Sequence, residues 1–91
     1  MRYLVFDTLA AATAKSKSLA AAMGYPNGDD TYEPAVFEHP SNGKGAVRIL
    51  LQDWSWTDNA LIDPITLLSS SEASGMEEQP ALESDGWVFN G

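Results

Sequence analysis

Carboxylate side chains recur at a regular spacing in the second half of the chain. Asp53, Asp58 and Asp63 stand five residues apart, and converging carboxylates are ligands that Ca²⁺ and Mg²⁺ prefer. The spacing of a calcium-binding loop and its glycine are absent, and a cation site needs several converging ligands. The chain also lacks cysteine, so it offers no thiolate ligand. The sequence therefore predicts no metal site.

The single histidine is the other candidate for proton chemistry. His39 follows Glu38, and such a pair could act as general acid and base. However, His39 precedes a proline at the start of a turn-rich segment, and no serine or cysteine motif lies beside it to be activated. We interpret His39 as a loop residue and expect no catalytic residue, no cofactor and no enzymatic activity.

Three tryptophans are the largest apolar side chains. Trp54 and Trp56 are two residues apart, so they share a face if the chain is extended; Trp87 lies near the C-terminus. Core packing is the simpler interpretation for at least two of them, because a tryptophan buries a large area. A tryptophan left exposed beside acidic groups is instead typical of a protein-binding hot spot.

Charge is distributed unevenly along the chain. The formal net charge is -8, and no lysine or arginine follows Arg48, whereas eight acidic residues do. Contacts to phosphate need basic side chains, so direct binding to nucleic acid is not expected. An acidic surface can attract a basic protein and accelerate their encounter, although acidity can also serve solubility alone.

Acidic residues near aromatic ones define the predicted partner-binding surface. We expect the partner to be a basic protein, and the chain is also a candidate homo-oligomer because a domain this small is only modestly stable alone. The predicted contact residues are Asp29, Asp30, Tyr32, Asp53, Trp54, Trp56, Asp58, Glu77, Glu78 and Trp87.

An apolar segment that leads directly into an alanine-rich helix must position these residues. Arg2–Phe6 is apolar on both faces, which predicts an interior strand. Asp7 or Thr8 is expected to cap the helix, and Gly24 to end it. Lys15 and Lys17 are expected in solvent. The predicted buried stripe of the helix comprises Leu9, Ala12, Ser16, Leu19, Ala20 and Met23.

Two further strands are predicted on either side of a turn-rich loop at residues 39–45. The first covers residues 31–38 and, because Pro34 lacks a backbone donor, should be an edge strand or an interrupted one. The second covers residues 46–52 and should pair antiparallel with the first. The connection through the helix is long enough for a crossover, so the sheet is predicted to be antiparallel or mixed.

Residues 53–91 form an acidic, partly irregular half. Thr57-Asp58-Asn59 predicts a turn or a helix start, and Ser69 with Glu72 fits the capping box of a short helix. Ile65, Leu67 and Leu68 should return to the core. Residues 87–89 should dock as a short strand or plug. We therefore predict one α+β domain over residues 1–91, with about three or four strands, one main N-terminal helix across the sheet and short C-terminal helices.

The location of the chain is predicted from its apolar segments. No apolar run approaches the roughly 20 residues that a membrane helix needs. Asp7 interrupts the first apolar segment, which does not read as a signal peptide. We therefore expect a soluble, intracellular protein that does not contact a membrane.

Three segments of the first half carry a resemblance. They are Met1-Arg2-Tyr3-Leu4-Val5-Phe6-Asp7-Thr8, an alanine-rich helix ending Met23-Gly24, and Glu38-His39-Pro40 before a glycine-rich turn. With these segments the chain resembles small uncharacterised proteins encoded by tailed phages and prophages. The resemblance implies a phage context, in the cytoplasm of an infected bacterium or in the virion, and it brings no catalytic residues. Short acidic proteins in that context are commonly inhibitors of host defence or small virion parts.

Two functions remain open at this point. The first is a non-enzymatic, acidic, phage-encoded module that inhibits or modulates a basic, nucleic-acid-binding host protein. The second is a small virion or tail component, or an assembly factor, for which flat apolar self-contacts would matter more than a charged surface.

Overall fold

A five-stranded antiparallel sheet, crossed on one face by a long helix, forms the main body of the protein. The computed structural model describes residues 2–25, 34–78 and 84–90. A separate two-stranded hairpin precedes the short C-terminal helices, so the predicted α+β fold is confirmed. The elements are β1 (Arg2–Phe6), α1 (Leu9–Ala22), β2 (Val36–Glu38), β3 (Gly45–Ile49), β4 (Asp53–Ser55), β5 (Ala60–Ile62), a 3₁₀ helix (Pro64–Leu67), α2 (Ser70–Ser74), β6 (Glu77–Glu78) and β7 (Val88–Phe89).

The strand order β6-β1-β3-β2-β7 places β3 at the centre of the sheet. Both β1 and β2 run antiparallel to β3, so they are parallel to each other and are joined through α1. This is the expected crossover, but β3 lies between its two strands. Every pairing between the described strands is therefore antiparallel, and the mixed alternative is wrong.

Local signals determine both ends of α1. The Oγ1 atom of Thr8 accepts a hydrogen bond from the N–H of Ala11 at 3.1 Å, which makes Thr8 the N-cap. Gly24 follows the helix with a φ of 82°, and its N–H donates to Ala21 while the N–H of Tyr25 donates to Ala20. These two bonds are a Schellman motif, which confirms the predicted helix end.

Small residues allow α1 to lie close to β3. The predicted stripe is confirmed: Leu9 is half-buried and its other members are buried. Gly45 faces this stripe, and a Cβ atom there would lie 2.7 Å from the Cβ of Ala12 and 2.8 Å from the Cα of Leu9. Only a glycine fits this approach, since real Cβ contacts are not that short.

The two faces of the sheet have separate apolar clusters. The cluster between α1 and the sheet consists of Leu4, Ala12, Leu19, Val36, Val47 and Ile49. Leu67 and Leu68 pack against that cluster from the C-terminal half, as expected, together with Met76. On the opposite face Tyr3 and Ala46 are buried beneath partly exposed apolar side chains, which are those of Val5, Phe37 and Trp87. Both faces of β1 are therefore covered, and β1 is an interior strand as predicted.

The bounds of β2 and β3 differ from the prediction because their partners set them. In the described part of the chain β2 begins only at Val36, after Pro34, and β7 pairs with its outer side, so β2 is not an edge strand. Residues 31–33 lie outside the described residues. β3 ends at Ile49 instead of residue 52, and Ile49 pairs with Arg2, where the described part of β1 begins. Leu51 is consequently 65% exposed.

Candidate protein-binding surface

Residues 53–62 form a small antiparallel hairpin that we call the tryptophan hairpin. Trp54 of β4 lies opposite Leu61 of β5, so these two side chains share a face. The connecting residues 56–59 form a turn in which Asn59 has a φ of 52°, a conformation that asparagine tolerates better than most residues. The turn predicted at Thr57-Asp58-Asn59 is confirmed. Neither strand was predicted, because each is only three residues long.

The tryptophan hairpin is held against the end of α1. The carbonyl oxygen of Met23 accepts the N–H of Trp56 at 2.7 Å and that of Thr57 at 3.4 Å. The hydroxyl of Tyr25 donates to the carbonyl of Trp54 at 3.3 Å. A Cβ atom on Gly24 would lie 2.9 Å from the nitrogen of Thr57, so the two segments are in close contact. The hydrogen bonds at Trp54, Trp56 and Thr57 thus limit how far the hairpin can move from the end of α1.

Two indole rings meet at nearly a right angle on the outer side of the hairpin. The ring centroids of Trp54 and Trp56 are 5.5 Å apart with an interplanar angle of 77°, which is a favourable edge-to-face geometry. Trp54 is half-buried, whereas Trp56 is 60% and Leu61 61% exposed. Scattered exposed apolar residues are common, but here they adjoin in one aromatic corner, formed by Trp54, Trp56 and Leu61.

One acidic side chain of the hairpin is exposed and another is directed away from the aromatic corner. The Oδ2 atom of Asp58 accepts the hydroxyl of buried Ser55 at 2.9 Å, and Asp58 lies in the turn beside Trp56. Asp53 belongs to the other face of β4, since neighbouring residues alternate. Its Oδ1 accepts the N–H of Trp54 at 2.8 Å, but its buried Oδ2 has no hydrogen-bond partner among the described residues. Burial raises the pKa of Asp53.

The three evenly spaced aspartates perform separate structural tasks. Whereas Asp58 and Asp53 lie on the hairpin, Asp63 caps the 3₁₀ helix by accepting the N–H of Ile65 at 3.1 Å. It also forms an ion pair with Arg2 at 3.6 Å. Within residues 2–25, 34–78 and 84–90 no group of three or more acidic, histidine or cysteine residues is arranged to hold a metal ion.

Trp87 lies far from the other two tryptophans. Its ring contacts that of His39 at a centroid distance of 5.1 Å, in the region where α1 begins, because the N–H of Leu9 donates to Gly43 in the adjacent loop. Trp54 and Trp56 lie where α1 ends, and the helix is about 21 Å long. The half-buried Trp87 covers Tyr3 and Ala46, so it is part of the core.

His39 has a structural position in the loop between β2 and β3. Its Nδ1 atom accepts the backbone N–H groups of Ser41 and Asn42, both at 3.2 Å. These bonds close the turn that follows Pro40. The side chain therefore organises the loop and supports Trp87 through the ring contact.

The remaining predicted contact residues are dispersed. Glu77 is exposed on edge strand β6, opposite Tyr3, and Glu78 occupies the register position opposite Arg2. Asp29, Asp30 and Tyr32 lie outside the described residues. Of the predicted surface, the structure brings Trp54 and Trp56 into ring contact and places Asp58 in the adjoining turn, whereas Asp53 lies on the opposite face of β4. It adds Leu61, which only the cross-strand register could have identified.

Not all acids of the C-terminal half are available to a partner. Lys15, expected in solvent, instead forms an ion pair with Glu72 of α2 at 3.1 Å and is half-buried, so that prediction is wrong. Ser69 and Glu72 form the predicted capping box, with the N–H of Ser69 donating to Glu72 at 2.9 Å. This hydrogen bond, together with Lys15, holds the pKa of Glu72 below its ordinary value. Glu72 and Asp63 are thus already paired within the protein.

Comparisons with other proteins give this chain no relative to reason from. No family model, curated protein or solved structure matches it. Among the described residues, no helix is both long and apolar enough to cross a lipid bilayer.

Proposed function

We propose that the chain is a non-enzymatic protein-binding module, encoded by a phage or prophage, that inhibits or modulates a basic, nucleic-acid-binding host protein in the infected cell. The observation that carries this proposal is the aromatic corner, in which Trp56 and Leu61 are exposed on a hairpin anchored to α1. An anchored aromatic side chain is the usual centre of a binding hot spot, because little entropy is lost when it is covered.

The charge around the corner supports a basic partner. The net charge is -8, and the chain carries no lysine or arginine after Arg48. Asp58, Glu77 and Asp85 are exposed, and none of them forms an ion pair with another described residue. Such uncompensated acids attract a positively charged protein and increase its association rate. The negatively charged chain would repel nucleic acid itself. A basic protein that binds nucleic acid is therefore a better candidate partner than the nucleic acid.

A pull-down with matched variants tests the proposal. The tagged chain is compared with the double variant Trp56→Ser/Leu61→Ser and with Phe89→Ser, which alters an equally exposed side chain on β7. We expect the wild type and Phe89→Ser to retain a basic protein from the host, and the double variant to lose it. The affinity of the chain for the purified partner should fall as salt is added. Addition of the chain should also inhibit or alter the binding of that partner to nucleic acid. Retention by all three chains, or affinity independent of salt, contradicts the proposal.

A virion component is the second candidate, and edge strand β7 of the main sheet is the feature that favours it. Val88 and Phe89 are 54% and 64% exposed on the edge strand β7. Unlike β6 at the other edge, which consists of Glu77 and Glu78, β7 has no charge to prevent edge-to-edge association. Mass spectrometry of purified particles separates the candidates, since stoichiometric presence in virions would replace the inhibitor proposal by this one.

A further inference from the structure

The aromatic corner has the geometry of a site for one planar cation. Because the two indole rings are nearly perpendicular, they form two walls that meet at an angle of 77°. Trp56 is the exposed wall and Trp54 the half-buried one. A cation is attracted to the face of an aromatic ring, and among the side chains tryptophan attracts it best.

The charges of the hairpin favour a cation and offer nothing against it. Residues 53–62 contain no lysine or arginine. The carboxylate of Asp58 is held in the turn by Ser55 and lies two residues from Trp56. A cation placed over Trp56 would therefore meet no like charge from the hairpin itself, and Asp58, an exposed residue two positions along the chain, is the closest acid in the sequence. Asp63, the next acid along the chain, is already paired with Arg2.

The corner is already ordered before a ligand binds. The N–H of Trp56 is bonded to the carbonyl of Met23, and the carbonyl of Trp54 accepts the hydroxyl of Tyr25. Gly24 lies in close contact with the backbone at Thr57. Binding would consequently order few additional groups, which is the condition for selective recognition of a small chemical group by a short hairpin.

We propose that the aromatic corner binds an arginine side chain of the partner, with the guanidinium stacked on Trp56 and hydrogen-bonded to Asp58. This inference rests on the proposed function. It specifies that the group recognised on the basic protein is an exposed arginine side chain. The planar guanidinium can stack on an indole and donate two hydrogen bonds to a carboxylate at the same time. The lysine ammonium is compact and strongly hydrated, so it gains less from the same corner.

Two peptides of equal length and charge, polyarginine and polylysine, distinguish the two cations. Each is titrated into the full chain while the three indole N–H resonances are followed by NMR, with assignment from the variants Trp54→Phe, Trp56→Phe and Trp87→Phe. We expect the arginine peptide to bind about tenfold more tightly and to shift the Trp56 resonance, whereas that of Trp87 should stay in place. Equal affinities for the two peptides, or shifts that spare Trp56, overturn the inference.

Matched variants test whether the preference arises at the corner. Trp56→Ala and Asp58→Asn should each reduce the preference for arginine at least about threefold. Phe89→Ala and Asp85→Asn change an exposed aromatic residue and an exposed acid elsewhere, so they should leave it unchanged. An equal loss in both sets of variants would assign binding to net charge and overturn the inference.

The outcomes also separate this inference from the proposed function. A basic host protein retained through Trp56 and Leu61, together with equal binding of the two peptides, rejects arginine selectivity and leaves the module proposal standing. Absence of peptide binding together with absence of a retained partner rejects both. A Trp56 resonance that moves with protein concentration alone indicates that a second copy covers the corner, and it rejects the arginine site.

Discussion

The carbonyl oxygen of Met23 accepts the N–H of Trp56 at 2.7 Å, where α1 ends and the tryptophan hairpin turns. The last carbonyl groups of a helix have no partner within the helix, so a donor must come from elsewhere. Here the hairpin supplies it, and the helix that covers the main core thereby determines where Trp56 is displayed. A change at the end of α1 should consequently affect the candidate site.

Gly24→Ala should lower the free energy of unfolding by about 2–4 kcal/mol. The new side chain would have to adopt a φ of 82°, and its Cβ would lie 2.9 Å from the nitrogen of Thr57. Urea unfolding measures this effect, with the near-ultraviolet circular dichroism of the tryptophans as the signal.

Gly43→Ala is the control for the loss at Gly24. Gly43 has a similar φ of 77°, but no atom lies within 4 Å of the position that its Cβ would take. Only the conformational cost of about 1–2 kcal/mol should therefore remain. Equal losses of unfolding free energy for the two variants would show that the close contact between Gly24 and the hairpin adds nothing to the cost of Gly24→Ala.

The parts of the fold that were predictable are those whose signals are local. Thr8 caps α1 and Gly24 ends it through bonds within the same few residues, and Ser69 with Glu72 does the same for α2. The ends of β2 and β3 depend on distant partners, namely β7 and β1. Strand length could not be deduced from the alternation of apolar residues, because that pattern continues to Leu51, whereas the described pairing of β3 ends at Ile49 and Leu51 is exposed.

The candidate site was predictable only in part, for the same reason. The spacing of Trp54 and Trp56 correctly indicated that the two side chains lie together. Leu61 joins them through the register of two short strands, which the sequence does not specify. Trp87 is separated from them by the length of α1, a consequence of the β7–β2 pairing that no local pattern encodes.

Glu72→Gln should destabilise the protein by about 0.5–1 kcal/mol near neutral pH. Gln can still accept the N–H of Ser69, so the variant mainly removes the charge that faces Lys15. The pKa of Glu72 is lower in the folded than in the unfolded chain. Its contribution is therefore present above the unfolded value near 4.5 and is lost as the pH falls through the folded pKa.

Urea unfolding from neutral to acidic pH tests this expectation at Glu72. The difference between wild type and Glu72→Gln should shrink as the solution is acidified. Glu77→Gln, which changes an exposed residue without an ion pair to any described residue, should show a much smaller difference. A difference that does not vary with pH would assign the effect to packing of the side chain and contradict the role of the charge.

Asp53→Asn should stabilise the protein near neutral pH by about 1 kcal/mol. The amide oxygen can still accept the N–H of Trp54, while an uncharged amide NH2 replaces the buried Oδ2 and the buried charge is removed. The pKa of Asp53 is raised in the folded state by burial, so its ionised form costs stability above the folded pKa, and this cost disappears as the pH falls below the unfolded value of 3.8.

Thermal unfolding over a range of pH measures the effect at Asp53. The gain of Asp53→Asn should be largest near neutral pH and vanish in acid. Asp58→Asn serves as the control, because Asp58 is exposed and accepts a hydrogen bond from Ser55; it should bring no gain. A lower melting temperature for Asp53→Asn would show that the buried carboxylate has a favourable partner.

Gly45→Ala should destabilise the protein by about 1–3 kcal/mol through overpacking. The added methyl group would overlap the Cβ of Ala12 and the Cα of Leu9, neither of which is the end of a flexible side chain. Gly75→Ala is the control, since the atom nearest to its added Cβ would be the carbonyl oxygen of Ser71, at 3.3 Å. Urea unfolding should show a much larger loss for Gly45→Ala, and equal losses would contradict a close approach of α1 to β3.

Trp87→Ala should destabilise the protein more than Trp56→Ala, because Trp87 belongs to the core and Trp56 to the surface. Trp87 covers Tyr3 and Ala46, so its truncation should cost about 2–4 kcal/mol and expose the sheet face. Trp56 is 60% exposed and its anchor is a backbone bond that alanine keeps, so its truncation should cost less than about 1 kcal/mol. Urea unfolding of both variants measures the difference. If Trp56→Ala were the more damaging change, the aromatic corner would be part of the core, and a partner could not be bound there without unfolding the hairpin.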